Sequence, residues 1–312
     1  MAPICPPRGV YTPVVAFFHE DETLDLETLK VHVTRLAEAG VAGLVIQGSN
    51  GEAPHLLHSE RKEVIATASA VLKEKGKPGA VIIAGCGAPS TRETIQLCQE
   101  AQSSGADYAL VLSPSYWVGA MQPPTIQKFF TDVATASPIP TLLYNFPAVT
   151  GGIDLDSDLI ATLAAANPNK IVGCKLTCGN LGKLHRVAHD KRITAPFAAL
   201  AGKSEFFLHG LVAGSNGLIG AAVNFTPKIH VELLVRYDAG DLAGAQDLQT
   251  KLSDMDWVLV RLGVSGLKAA LDRYYGYGGG RSRRPLNPVQ SSAFSGEKDV
   301  LLRGMVQLEK IL

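Results

Sequence analysis

The sequence predicts a (β/α)8 TIM barrel followed by a C-terminal extension of three helices, and two observations support this prediction. First, a short apolar strand followed by an amphipathic helix recurs eight times in about 240 residues, as such a barrel requires. Second, the strands are nearly continuous apolar runs, which is typical of parallel strands covered on both faces. We therefore expect a barrel domain over residues 1–240 and a helical region over residues 241–312.

The predicted strands alternate with helical patterns along the chain. They are VYTPVVAFF (10–18), GLVIQ (43–47), AVIIAG (80–85), YALVLS (108–113), TLLYN (141–145), IVGCKL (171–176), PFAALAG (196–202) and GLIGAA (217–222). The first helical pattern covers residues 26–40 and ends at Gly40, a residue type favoured just after a helix. Beyond residue 240 the pattern is helical only and predicts helices within residues 242–262, 265–276 and 296–312.

An open doubly wound sheet is the main alternative fold for alternating strands and helices. Such sheets commonly carry a glycine-rich phosphate-binding motif after the first strand. Neither GCGAPS nor GSNGEA fits the G-x-G-x-x-G pattern, and the chain has no Walker lysine motif. The barrel is therefore favoured.

Composition excludes several classes of function. The 29 basic residues balance the 29 acidic ones, so a nucleic-acid partner is not expected. No apolar run reaches the roughly 18 residues of a membrane span, and the N-terminus carries no recognisable targeting signal. The five cysteines lack the spacing of zinc ligands, so no metal is expected. These observations predict a cytoplasmic protein that acts on a small molecule.

Lys175 stands at the end of the predicted sixth strand, where barrel enzymes carry their chemistry. Its neighbours in this strand are apolar, and loss of hydration favours the neutral form of an amine. A neutral amine is a nucleophile that can condense with a ketone to form a Schiff base. A lysine that only extends its amine to solvent is the structural alternative.

Two neighbouring positions complete this chemistry. Tyr144 ends the fifth strand and should lie beside Lys175, where a phenol can transfer protons during imine formation. The second strand leads into Gly48-Ser49-Asn50-Gly51-Glu52, whose backbone amides and short polar side chains can hold a carboxylate. Each feature also has a purely structural explanation: Tyr144 as a core tyrosine, and the Gly48–Glu52 segment as an ordinary turn. Their common location at the strand ends favours a site.

With these motifs the chain resembles the Schiff-base class I aldolases of the dihydrodipicolinate synthase and N-acetylneuraminate lyase type. The resemblance runs from GVYTPVVAFF through GSNGE, LVLSPSYW, YNFPAVTG and GCK to AGKSEFF and the trailing helices. It implies a (β/α)8 barrel with a C-terminal helical region. It also implies a homotetramer built from tight dimers, and no cofactor other than the covalent Schiff base.

The resemblance also implies roles for single residues. Lys175 matches the Schiff-base lysine and Tyr144 the proton-shuttling tyrosine of the family. Ser49 and Asn50 occupy the positions that hold the pyruvyl carboxylate. Tyr116, in SPSYW, matches a tyrosine that completes a hydroxyl relay across a subunit interface in many members.

Departures from the family pattern bear on the substrate. Val149 stands where the synthases carry an arginine for the carboxylate of aspartate semialdehyde, and valine cannot replace a bidentate guanidinium. Asn50 is similar to the residue found in 4-hydroxy-2-oxoglutarate and 2-keto-3-deoxy sugar acid aldolases. Lys203 and a loop with Arg281, Arg283 and Arg284 supply cations that either face the site or lie on the surface.

The sequence therefore predicts a pyruvate-dependent class I aldolase that cleaves a 4-hydroxy-2-oxo acid. The substrate would be a 2-keto-3-deoxy sugar acid or 4-hydroxy-2-oxoglutarate. The alternatives are a dihydrodipicolinate synthase, a keto-deoxy sugar acid dehydratase, and a catalytically silent protein that binds a 2-oxo acid. A binding protein would need neither Lys175 nor Tyr144, which favours an enzyme.

Overall fold

A computed structural model of the chain describes residues 4–77 and 79–312. Eight parallel strands form a closed barrel in chain order, with β1 hydrogen-bonded to both β2 and β8. The strands are β1 (Gly9–Pro13), β2 (Gly43–Ile46), β3 (Val81–Gly85), β4 (Tyr108–Leu112), β5 (Thr141–Asn145), β6 (Ile171–Leu176), β7 (Ala198–Ala201) and β8 (Gly217–Ile219). The predicted barrel is confirmed.

In the described residues, eight α-helices surround the barrel and two follow it. They are α1 (Leu26–Glu38), α2 (His58–Glu74), α3 (Thr91–Ser103), α4 (Pro123–Ala136), α5 (Ser157–Ala166), α6 (Leu181–Ala188), α7 (Phe207–Val212), α8 (Pro227–Asp238), α9 (Leu242–Tyr275) and α10 (Glu297–Ile311). Gly263 has φ 66° and ψ −164°, which breaks α9 between the two helices that the sequence predicts there. No helix in the described part of the chain has the length and apolarity needed to cross a membrane.

The alternation of side chains along the strands produces two apolar layers. Residues such as Val45, Leu142 and Leu200 fill the barrel interior. Their neighbours on the other face, such as Leu44 and Leu143, pack against the helices. The interior is therefore a packed core and not a channel.

The first and last strands are shorter than predicted. The sequence extended β1 to residue 18 and β8 to residue 222, but β1 ends at Pro13 and β8 at Ile219. Asn224, in a 3-10 turn after β8, donates from Nδ2 to Pro13 O (2.9 Å) and accepts at Oδ1 from Val15 N (3.3 Å). Val14 N still donates to Val45 O (3.0 Å), and beyond it the bond from Val15 N to Asn224 takes the place of the strand ladder.

Candidate active site

The C-terminal ends of β5 and β6 bring Tyr144 and Lys175 together. The two residues are register partners, and Lys175 Nζ donates to the Tyr144 hydroxyl over 3.0 Å. Each residue is only 3% exposed. A bulge shifts the register between Thr141 and Leu142, so that both side chains point to the barrel axis. An amine and a phenol thus meet in a desolvated position above the apolar core.

Ser49 extends this pair to a chain of three polar groups. It begins a 3-10 turn, Ser49–Gly51, that follows β2, and its Oγ lies 3.3 Å from the Tyr144 hydroxyl. A Cβ on Gly51 would lie 3.1 Å from Val14 O, so glycine allows the turn to pack closely against the chain after β1. Asn50 is half-buried in the same turn. The turn therefore presents hydroxyl and backbone groups beside Tyr144.

A cavity of about 590 Å³ opens beside these groups. Of the predicted residues, Gly48, Ser49, Tyr144 and Val149 line it. Its other lining residues include apolar ones from β4 and the C-terminal loop, and polar ones from the β2–α2 segment, α2 and α3. These are Leu110, Leu112, Leu286, Glu52, His55, His58, Arg61 and Glu93. The volume suits a small-molecule ligand.

Val149 closes a 3-10 turn, Pro147–Val149, at the rim of this cavity and is 46% exposed. An apolar side chain thus stands in the wall of the cavity. Arg61 also lines the cavity, but its guanidinium donates to the carbonyls of Ala53 (3.0 Å) and Gly85. Burial lowers the pKa of this guanidinium from its ordinary value.

The other candidate cations do not line this cavity. Lys203 Nζ lies 3.0 Å from Glu205 Oε1, within the segment that follows β7. Arg283 donates from Nη1 to Glu60 Oε2 (2.7 Å) and to His55 O (2.7 Å), and Arg284 Nε donates to Glu22 (2.7 Å). Arg281 lines a separate cavity of about 540 Å³. Among the described residues, none of these four side chains lines the cavity beside Tyr144.

Tyr116 lies in the loop after β4 and is 74% exposed. Its ring makes an edge contact with Trp117, which is 70% exposed, at 5.0 Å between centroids. Within residues 4–77 and 79–312, no hydrogen bond joins Tyr116 to Tyr144 of the same chain. The predicted relay through Tyr116 would therefore need a second subunit.

Thr177 is a polar residue that the sequence analysis missed. Its Oγ1 is buried and has no hydrogen-bond partner in the described part of the chain, although most buried hydroxyls have one. Thr177 N donates to Asn145 O (3.0 Å), which continues the ladder of β6. Thr177 follows Lys175 by two residues, and this strand spacing is the signal that could have revealed it.

No group of three or more His, Cys, Asp or Glu side chains in the described residues is arranged to hold a metal ion. The arrangement of Lys175, Tyr144 and Ser49 instead provides a nucleophile, a proton carrier and a hydroxyl within mutual reach. These are the groups that covalent catalysis through an imine needs.

Comparison with known proteins agrees with this geometry. The chain is 41% identical over 319 residues to the L-threo-3-deoxy-hexylosonate aldolase of Hypocrea jecorina, with 100% of each chain covered. It is also 41% identical over 304 residues to the probable mitochondrial 4-hydroxy-2-oxoglutarate aldolase of Emericella nidulans, covering 97% and 96% of the two chains. These relatives confirm the predicted class of enzyme, an aldolase.

A solved structure and a family model support the same relationship. YagE, a prophage protein from E. coli K12 solved in complex with pyruvate, superposes with a TM-score of 0.86 at 30% identity, covering 98% of this chain and 99% of YagE. The model of the dihydrodipicolinate synthetase family matches residues 6–301. The chain therefore belongs to the dihydrodipicolinate synthetase family.

Proposed function

We propose that the protein is a pyruvate-dependent class I aldolase that cleaves a 4-hydroxy-2-oxo acid through a Schiff base on Lys175. The observation that carries the proposal is the 3.0 Å contact between Lys175 Nζ and the Tyr144 hydroxyl in a buried position at the strand ends. No diffusible cofactor or metal is needed, because the protonated imine itself serves as the electron sink.

Imine formation uses the polar chain described above. Lys175 Nζ attacks C2 of the substrate, and Tyr144 carries the proton that the amine loses to the C2 oxygen. The Tyr144 hydroxyl then gives a proton to the carbinolamine hydroxyl, which leaves as water, so that the protonated imine and the Tyr144 phenolate remain. Ser49 Oγ, 3.3 Å from the Tyr144 hydroxyl, is placed to pass protons onward. The turn formed by Gly48, Ser49, Asn50 and Gly51 would hold the substrate carboxylate.

Cleavage follows from the electron demand of the imine. A base removes the proton from the C4 hydroxyl, the C3–C4 bond breaks, and its electron pair moves to C3. An aldehyde leaves, and the enamine of pyruvate stays on Lys175. Protonation of C3 and hydrolysis then release pyruvate and regenerate the amine. Each step is reversible, so the same residues also support condensation.

Val149 and the engaged cations favour a hydroxylated aldehyde over a charged one. A second carboxylate would need an available cation, whereas Lys203 pairs with Glu205 and Arg283 with Glu60. We therefore favour a 2-keto-3-deoxy hexonate, a substrate class like the one named for the Hypocrea jecorina relative. The second candidate substrate is 4-hydroxy-2-oxoglutarate, because the relative from Emericella nidulans is named for its cleavage. Both take precedence over aspartate semialdehyde and over dehydratase chemistry.

We further propose a homotetramer of tight dimers, in which Tyr116 of one subunit completes the relay of its partner. The exposed pair Tyr116 and Trp117 supports an interface at this loop. We also propose a cytoplasmic location and a boundary at residue 240 between the barrel and the C-terminal helical region. One relative is named as mitochondrial, so fractionation of the natural source is the test of location.

Trapping with pyruvate and borohydride tests the central proposal. Reduction should fix one pyruvyl group per chain, and peptide mass spectrometry should find it on Lys175. Lys203 and Lys268 serve as internal controls because both remain in the protein as alternative amines. Label on either of them, or no label at all, would refute the assignment. A panel of hexonate, 4-hydroxy-2-oxoglutarate and aspartate semialdehyde then ranks substrates by kcat/KM.

A further inference from the structure

The turn that holds Ser49 is bounded by two strained residues. Gln47 has φ 58° and Glu52 has φ 52° and ψ 39°, both in the left-handed region that residues with a Cβ rarely adopt. Such conformations persist only where the surrounding structure fixes them. Each of the two side chains is buried and anchored, Gln47 through a bond from its Nε2 to Arg61 O. The turn is thus held from both ends.

The anchor of Glu52 comes from the C-terminal part of the chain. Lys268, in α9, donates from Nζ to Glu52 Oε1 over 2.7 Å, and the two side chains are 0% and 1% exposed. Glu52 Oε2 accepts from Arg283 N (2.9 Å) and lies 3.1 Å from His55 Nδ1. An ion pair removed so completely from water needs full hydrogen bonding, and Glu52 has it.

Phe18 supports the same anchor from the side of β1. Lys268 Nζ and Arg283 Cζ each lie 4.5 Å from the centroid of its ring. The Arg283 guanidinium also binds Glu60 and the carbonyl of His55. Residues after β1, residues after β2 and the C-terminal region therefore meet at one buried cluster, which we define as Phe18, Glu52, Lys268 and Arg283.

We propose that Lys268 is a positioning residue for the Schiff-base site, which fixes Glu52 in its left-handed conformation and so keeps Ser49 within reach of the Tyr144 hydroxyl. Lys268 acts through Glu52 and has no contact with Tyr144 or Lys175 in the described structure. The inference rests on the proposed function, because it concerns the rate at which Lys175 forms and uses the pyruvate imine.

A structural role and a positioning role make different predictions for a neutral pair. Replacing a buried ion pair by uncharged residues is often neutral for stability or stabilising, whereas removing one partner is strongly destabilising. Lys268→Met should therefore lower the Tm, and Lys268→Met combined with Glu52→Gln should restore much of it. If Lys268 positions the turn, the double variant should still lack activity, because residue 52 then keeps only the contacts of its other oxygen with Arg283 N and His55 and loses the bond from Lys268 that holds it against its strain.

The experiment compares wild type, Lys268→Met, the double variant and Glu309→Gln. Glu309 is a matched control, since it is a buried carboxylate that accepts from Lys228 N (2.9 Å) and Ile229 N (3.0 Å), far along the chain from the turn. At saturating pyruvate, the borohydride-trapping rate should fall about 10²-fold in Lys268→Met and in the double variant, as for a misplaced reacting group. In separate assays without added pyruvate, which is a product, the kcat/KM for cleavage should fall to a similar extent. Complete trapping at long times should still give one pyruvyl group per chain.

The control variant, Glu309→Gln, should have a lower Tm than wild type but the same trapping rate per folded molecule. A double variant that is trapped and turns over like wild type would overturn the positioning role. If Lys268→Met does not fold, the double variant alone decides the outcome. A wild-type protein that is not trapped at all would instead overturn the proposed function, and the inference with it.

Discussion

Tyr144 and Lys175 face each other because β6 has one more residue than β5 along the length that the two strands share. Thr141 pairs with Ile171, but Leu142 pairs with Gly173, and the shift of one residue carries through to Tyr144 and Lys175. Without it, Lys175 would pair with Asn145 and turn toward the helices, because a slip of one residue moves a side chain to the other face. The bulge therefore places the amine in the site.

Tyr144→Phe tests the proton carrier directly. The ring, and with it the packing, stays, while the hydroxyl that contacts both Lys175 and Ser49 is lost. We expect the fold to persist and kcat to fall by about 10²–10⁴, the range for a lost acid or base. Steady-state kinetics measure the change, and near-normal turnover would mean that another group carries the proton. Circular dichroism provides the control for folding.

Thr177→Val should separate stability from activity. The Thr177 hydroxyl is buried without a partner in the described structure, and an unsatisfied buried group costs about 1–3 kcal/mol. The variant should therefore be more stable in urea by about 1 kcal/mol. If the hydroxyl binds substrate, kcat/KM should nevertheless fall about tenfold, the effect of about 1.4 kcal/mol. An unchanged kcat/KM would remove Thr177 from the site.

Val149→Arg should shift specificity toward aspartate semialdehyde. A guanidinium at the cavity rim can form a bidentate pair with a carboxylate, and bonds to charged groups contribute about 1.5–3 kcal/mol. The ratio of kcat/KM for aspartate semialdehyde to that for a hexonate should rise at least about tenfold. Val149→Met controls for side-chain length without charge, and equal shifts in both variants would contradict the argument.

Substitutions at Tyr116 and Trp117 test the proposed assembly. Light scattering on wild type should give a homotetramer, and Trp117→Ala should weaken it by removing exposed aromatic area. Tyr116→Phe should keep the assembly but lower kcat about tenfold or more, because the relay loses one hydroxyl. A wild-type monomer with full activity at assay concentration would refute both proposals.

Burial of His230 should make the protein less stable in acid. Its Nδ1 donates to Thr226 O (2.6 Å) and its Nε2 accepts from Ser204 Oγ (2.8 Å), and burial lowers its pKa from 6.5 to about 4. As the pH falls, His230 therefore takes up a proton in the unfolded chain before it does so in the folded protein. The contribution of neutral His230 to the free energy of unfolding is complete above pH 6.5 and is lost as the pH falls from 6.5 through 4. At about 1.4 kcal/mol for each pH unit, the loss is about 3 kcal/mol.

Urea unfolding of wild type and His230→Gln at several pH values measures this contribution. The difference in free energy of unfolding between the two proteins should shrink as the pH falls from 7 to 4. His32, which is also buried, cancels because both proteins contain it. A difference that does not change with pH would show that His230 is not held neutral by the fold.

The sequence by itself determined the barrel and the neighbouring positions of Tyr144 and Lys175. The reason is local: apolar strands with helical segments between them leave few other folds, and consecutive strands of a parallel barrel end at the same face. The turn after β2 followed from the same reasoning, whereas Val149 was singled out by the resemblance to the synthases. Thr177 could have been included, because strand spacing places it on the same face as Lys175.

Only the tertiary structure decided which cations reach the site and what holds it. Lys203 and Arg283 are engaged by Glu205 and Glu60, and no local pattern predicts such pairs. The ion pair between Lys268 and Glu52 joins residues 216 positions apart. The bulge in β6 likewise depends on the register of two strands that meet only in the closed barrel. Contacts of this kind follow from the packing of distant segments, which sequence periodicity does not encode.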